Sequence, residues 1–103
     1  MLTVVSIKAP NGMVITIRAD IISESLRALY TEGDNLITTL NNLPEFYMPN
    51  DKQTYDEFVS YRNNLLLKVH IYHTVIDFLE QQKCEILIDR YKSTEGYGIT
   101  FTA

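Results

Sequence analysis

Between residues 3 and 19, apolar and β-branched residues alternate with polar ones on either side of Ala9-Pro10-Asn11-Gly12, the period of two that a half-buried strand requires. Proline presets φ at the second turn position and Gly12 accepts a left-handed backbone, so the segment predicts a hairpin. Its register follows from the side chains. A two-residue Asn-Gly loop would set Lys8 against Ile15 and Ile7 against Thr16, whereas a three-residue loop sets Ile7 against Ile15 and Val5 against Ile17. The longer loop is expected, because it gathers Val5, Ile7, Met13, Ile15 and Ile17 on one face and leaves Lys8, Thr16 and Arg18 on the other.

The period then changes to that of a helix. Asp20 offers an acceptor for free N–H groups, and Ile22, Leu26, Leu29 and Tyr30 follow at helical spacing up to Gly33. Asp34 reads as the cap of a second short helix that uses Leu36, Ile37 and Leu40 and must end before Pro44. Residues 43–50 form an apolar, proline-bounded loop. From Asp51 to Lys83 the pattern is helical throughout, with a narrow apolar stripe of Tyr55, Phe58 and Val59 before Asn63 and a broad arc of about 200° after Asn64. One continuous helix that changes the surface it packs against is the favoured reading. Period two returns at Cys84, Ile86 and Ile88 and again at Tyr97, Ile99 and Phe101, on either side of Ser93-Thr94-Glu95-Gly96, which predicts a second hairpin. The fold class expected is α+β in the order ββααββ, a single domain over 1–103. Its antiparallel sheet is built from two hairpins, with one long amphipathic helix and two short helices packed on one side.

The opening residues Ser6 to Ile17, followed by Ser23 to Leu29, resemble the first hairpin and helix of BTB/POZ adaptor domains over about a quarter of the chain. The strand-rich end, residues 84–103, departs from the mainly helical second half of that family.

Composition narrows the function classes. At 103 residues with 46% hydrophobic and 21% charged side chains, the chain can bury one core and lacks the makeup of a disordered segment. Thirteen acids against nine bases give a net charge of −4, which argues against a phosphate backbone as partner. No apolar run approaches the ~18 residues of a membrane span, and the N-terminus lacks a signal-peptide pattern. The lone Cys84 cannot form an internal disulfide, which fits a reducing compartment, so a cytoplasmic location is expected. Its place in an alternating apolar stretch predicts a small buried thiol rather than a nucleophile.

The charge is unevenly spread. Residues 20–57 carry eight acids (Asp20, Glu24, Glu32, Asp34, Glu45, Asp51, Asp56, Glu57) against Arg27 and Lys52, a balance of −6, while the remainder carries +2. An acidic region of this kind speeds encounter with a basic partner. Phe46, Tyr47 and Met48 sit inside it, and aromatic and Met side chains are typical interface anchors. The expected binding residues are therefore Glu45, Phe46, Tyr47, Met48, Asp51, Asp56 and Glu57, facing a basic protein surface. The broad arc after Asn64 exceeds what one sheet face can cover. The surplus could be covered by the helices of residues 21–42 or by a second copy through Leu67, Ile71, Val75 and Phe78, and a homodimer is expected.

The most enzyme-like feature is the row His70, His73, Asp77 and Glu80, whose spacing puts all four on one side of the long helix. A catalytic metal needs ligands from elsewhere as well as an open position, and no companion motif such as HExxH is present. Three readings result. The first is a non-enzymatic protein-binding module of the small acidic inhibitor or immunity type, as phage and mobile elements encode, with no cofactor. The second is a homodimeric binder of a nucleotide-like small ligand through Tyr61, Arg62, His70 or His73. The third is a small metal-dependent hydrolase using His70, His73 and Asp77.

Overall fold

A computed structural model describes residues 2–19, 24–44, 49–91 and 96–103. Strands β1 (Leu2–Lys8) and β2 (Val14–Ala19) are followed by helices α1 (Ser25–Asn41) and α2 (Lys52–Glu80) and then by strands β3 (Glu85–Tyr91) and β4 (Gly98–Thr102). The four strands form one antiparallel sheet in the order β3-β1-β2-β4.

The first hairpin has the three-residue loop. Ile7 lies opposite Ile15 and Val5 opposite Ile17. The Ala9 N–H donates to the Met13 carbonyl at 2.8 Å and the Gly12 N–H to the Ala9 carbonyl at 3.1 Å, while the Met13 N–H donates to Asn11 Oδ1 at 3.1 Å. Gly12 has φ of 92°, a region where a Cβ is strained. The turn and the burial pattern therefore select the same register.

The second hairpin does not form. β3 pairs with β1 and β4 with β2, so the last two strands lie at opposite edges of the sheet. The turn residues 93–95 lie outside the described residues. Strand composition accounts for the arrangement. β1 and β2 supply Val5, Ile7, Ile15 and Ile17, all buried, and take the centre. β3 carries Glu85, Asp89 and Arg90, and β4 carries Gly98, Thr100 and Thr102, which suits strands with one side open to water. Three strand spacings, about 14 Å, separate the two edges, well within the reach of the six residues between Tyr91 and Gly98.

Both helices cover the face that carries Val5, Ile7, Ile15 and Ile17. The core joins these four to Leu29 of α1 and to Ile71, Tyr72, Val75 and Ile76 of α2, with Ile99 and Phe101 packed at its margin. Six of its side chains, Ile7, Ile15, Ile17, Leu29, Ile71 and Val75, have essentially no solvent contact. Each contributes roughly 1.5–3 kcal/mol through burial.

The region from Ser25 to Asn41 is one helix, not the two short ones that Gly33-Asp34 implied. The expected capping at Asp20 and the apolar position Ile22 lie outside the described residues. Gly33 is a buried position inside α1, and a Cβ built on it would overlap the Cζ end of the Tyr72 ring from α2. The glycine therefore serves helix–helix approach rather than termination, and Asp34 is an exposed mid-helix residue instead of a cap. Burial, and then the negative charge of Asp34, holds the Tyr72 phenol above its ordinary pKa of 10.0.

α2 runs unbroken through Asn63 and Asn64. It is capped at its start by Asp51, which accepts from the Gln53 N–H (3.2 Å), the Thr54 N–H (3.3 Å) and the Thr54 hydroxyl (2.8 Å). It closes at Gln82, whose φ of 58° lets Gln82 N–H reach the Leu79 carbonyl at 3.0 Å and Lys83 N–H the Phe78 carbonyl at 3.0 Å. The surplus of the apolar arc is divided between two neighbours of the same chain. Ile71 and Val75 are in the core at 1% and 0% exposure, and Tyr72 turns to Gly33 of α1.

Candidate binding surface

α2 extends well beyond the body it packs on. At 1.5 Å per residue, its 29 residues span about 43 Å. From the Gly33–Tyr72 contact α1 continues for only eight residues, about 12 Å, whereas α2 reaches back twenty residues to Lys52, about 30 Å. No residue of α2 before Leu65 is buried. The radius of gyration, 15.9 Å with extents of 49 × 34 × 21 Å, exceeds the ~13 Å of a compact chain of 100 residues. The difference fits a first half of α2 that stands away from the core.

This half carries charge and aromatic rings together. Lys52, Gln53, Asp56, Glu57 and Ser60 line one open groove along it, and the Gln53 amide donates to Glu57 Oε1 at 3.3 Å. Tyr55 and Tyr61 are exposed. Asp56 and Glu57 are exposed, Glu57 holding only the Gln53 amide. Asp51, in contrast, is engaged in capping: the Thr54 hydroxyl and the Gln53 N–H hold its carboxyl below the ordinary value of 3.8. Glu45, Phe46, Tyr47 and Met48 lie outside the described residues. The sequence reading placed Tyr55 in an apolar stripe and named Tyr61 only as a small-ligand contact; both are exposed. The signal available was their company, since polar residues surround both.

The residues expected at a dimer interface separate. Ile71 and Val75 are consumed by the chain's own core, Phe78 is half-buried against it, and Leu67 alone is exposed, at 49%. α1 covers part of the broad arc through Tyr72, while Leu66 and Leu67 stay exposed.

His70, His73, Asp77 and Glu80 are all exposed on α2. The His73 ring lies beside Tyr72, with centroids 5.5 Å apart and planes tilted by 55°. Among the described residues no three His, Cys, Asp or Glu side chains are placed to hold one metal ion. Tyr61 and Arg62 are likewise exposed on the same helix, away from the enclosed apolar groove over the sheet. Cys84 is half-buried against the core, its thiol donating to the Val75 carbonyl at 3.6 Å, and burial raises its pKa above the ordinary 9.0. That environment disfavours the thiolate a nucleophile needs. Among the described residues no helix is long and apolar enough to cross a membrane.

No protein-family model, curated protein or solved structure matches the chain.

Proposed function

We propose that the chain is a non-enzymatic protein-binding module that docks on a basic surface of a larger protein through Asp56 and Glu57 on the first half of α2, in the manner of small inhibitor or immunity proteins. The observation that carries this reading is the solvent-facing side of that half-helix. Of the thirteen residues Lys52–Asn64 none is fully buried, and Asp56, Glu57, Tyr55 and Tyr61 are all exposed. Helices stable on their own are rare in water; this half packs through half-buried Phe58 and Val59 and leaves its other sides as available surface. Acidic groups at its face speed association with a basic patch, and the tyrosines supply apolar contact area with few rotatable bonds.

The test reverses charge where it is free. Asp56→Lys with Glu57→Lys leaves the capping carboxylate of Asp51 in place, so the helix persists. Native and reversed chains are used side by side for affinity capture from the producing cells, at about 0.05 and about 0.5 M salt. The expected result is a partner held by the native chain at low salt, released at high salt and absent from the reversed chain. Recovery of the same proteins by both chains at both salts would overturn the reading.

A further inference from the structure

We propose that the open edge of β3, with the apolar groove beside it, takes up an extended apolar segment of a partner protein as a fifth strand of the sheet. This surface is separate from the first half of α2 and does not depend on the reading given to it.

β3 ends the sheet, and among the described residues no strand lies on its outer side. Edge strands are ordinarily blunted by shortness, a proline, a bulge or charged side chains. β3 has only the last, Glu85, Asp89 and Arg90, which select against edges that do not match their charge. It is seven residues long without proline, and its register against β1 runs unbroken from Leu2–Tyr91 to Lys8–Glu85. Ile86 and Ile88 point to the side of the sheet that the helices cover, since they stand opposite Ile7 and Val5, yet each is 49% exposed.

The uncovered strip is the wall of a groove of about 200 Å³. Val5, Ile7 and Ile17 form its floor, and Leu26, itself 47% exposed, forms the wall on the α1 side. Ser25 also lines it, at 2% exposure and with an Oγ that has no hydrogen-bond partner. Buried hydroxyls are seldom left unpaired. An edge strand, a helix as the facing wall and an apolar floor between them make the arrangement used in strand addition. There the backbone pairing supplies affinity, and alternate side chains entering the groove supply specificity.

The other occupants fit less well. A second copy pairing β3 with β3 about a two-fold axis must set residues of equal parity opposite one another. Centring on Leu87 then opposes Glu85 and Asp89, centring on Asp89 or Arg90 opposes like charges directly, and centring on Ile88 sets Arg90 against Ile86. No such register pairs opposite charges, which cross-strand neighbours prefer. The groove is also smaller than the roughly 300–1,000 Å³ of ordinary small-molecule sites, and a small ligand leaves the strand edge unpaired.

Charge then specifies the segment. The groove side of β3 reads Ile86, Ile88, Arg90 and the other side Glu85, Leu87, Asp89. An antiparallel partner strand matches it with apolar residues facing Ile86, Leu87 and Ile88, an acid facing Arg90 and bases facing Glu85 and Asp89.

The probe is a fluorescein-labelled hexapeptide, Glu-Lys-Leu-Val-Leu-Lys, titrated with the full chain by anisotropy. Saturable binding is expected, weakened about tenfold or more for the charge-reversed peptide Lys-Glu-Leu-Val-Leu-Glu and for the Ile88→Lys chain. Slowed exchange of β3 amides in the peptide complex is expected as well. Leu26→Lys, on the opposite wall, replaces Ile88→Lys if the latter is unfolded by circular dichroism. Absence of saturable binding, or equal binding of the two peptides, would overturn the proposal. So would β3 amides already protected in the peptide-free chain as its concentration rises, because a second copy would then hold the edge.

Discussion

Gly33 shows how one missing atom can set the distance between two helices. Glycine in a helix interior ordinarily costs about 1 kcal/mol relative to alanine, and here the absent Cβ admits the ring of Tyr72. Gly33→Ala is expected to destabilise the chain by about 1–3 kcal/mol despite its better helix propensity. Urea denaturation of Gly33→Ala, Tyr72→Ala and the double variant should give strong non-additivity, the added methyl being far better tolerated once the ring is gone. Additive losses would mean that the two residues do not meet. Asp51 is the second residue whose role is local. Its folded pKa lies below its ordinary 3.8, so the charge stabilises the fold above the unfolded value and that contribution is lost as pH falls through the folded one. Asp51→Asn keeps the cap's shape without its charge. The variant should melt below the native chain at pH 7, and the gap should close as pH falls below about 4.

At the scale of elements, the helix ends are instructive because the residues that make them are unremarkable as types. α2 stops at a left-handed Gln82, where glycine is the usual occupant, and a left-handed conformation costs a residue with a Cβ about 1 kcal/mol. Gln82→Gly is therefore expected to raise stability by up to about 1 kcal/mol in thermal unfolding, with no change in helix content. A loss would show that the Gln82 side chain is held by contacts of its own. The long helix was legible throughout, since both of its halves keep helical spacing although the apolar stripe broadens and turns after Asn64. The division of α1 was misread for a physical reason. Glycine ends helices when it supplies a left-handed residue and sits inside them when it supplies space, and the neighbouring sequence is the same in both cases.

For the whole molecule, the decisive matter is which apolar residues the single chain consumes. Ile71 is fully buried and Leu67, one turn away, is half exposed. In equilibrium denaturation Ile71→Ala should cost about 2–5 kcal/mol and Leu67→Ala within about 1 kcal/mol. A large, concentration-dependent loss for Leu67→Ala would mean instead that a second copy covers it. Much of the architecture was readable in one dimension. The register of the first hairpin, the long helix and the four strands follow from period, turn chemistry and the cost of burying a charge, all of which act between near neighbours. Strand order was not readable, because a hairpin and a crossing to the far edge use the same alternating residues. The exposed side of the first half of α2 and the exposed isoleucines of β3 were hidden for the same reason. An apolar face announces itself in sequence whether or not anything covers it, and only the assembled layers decide how much of it the chain's own atoms reach.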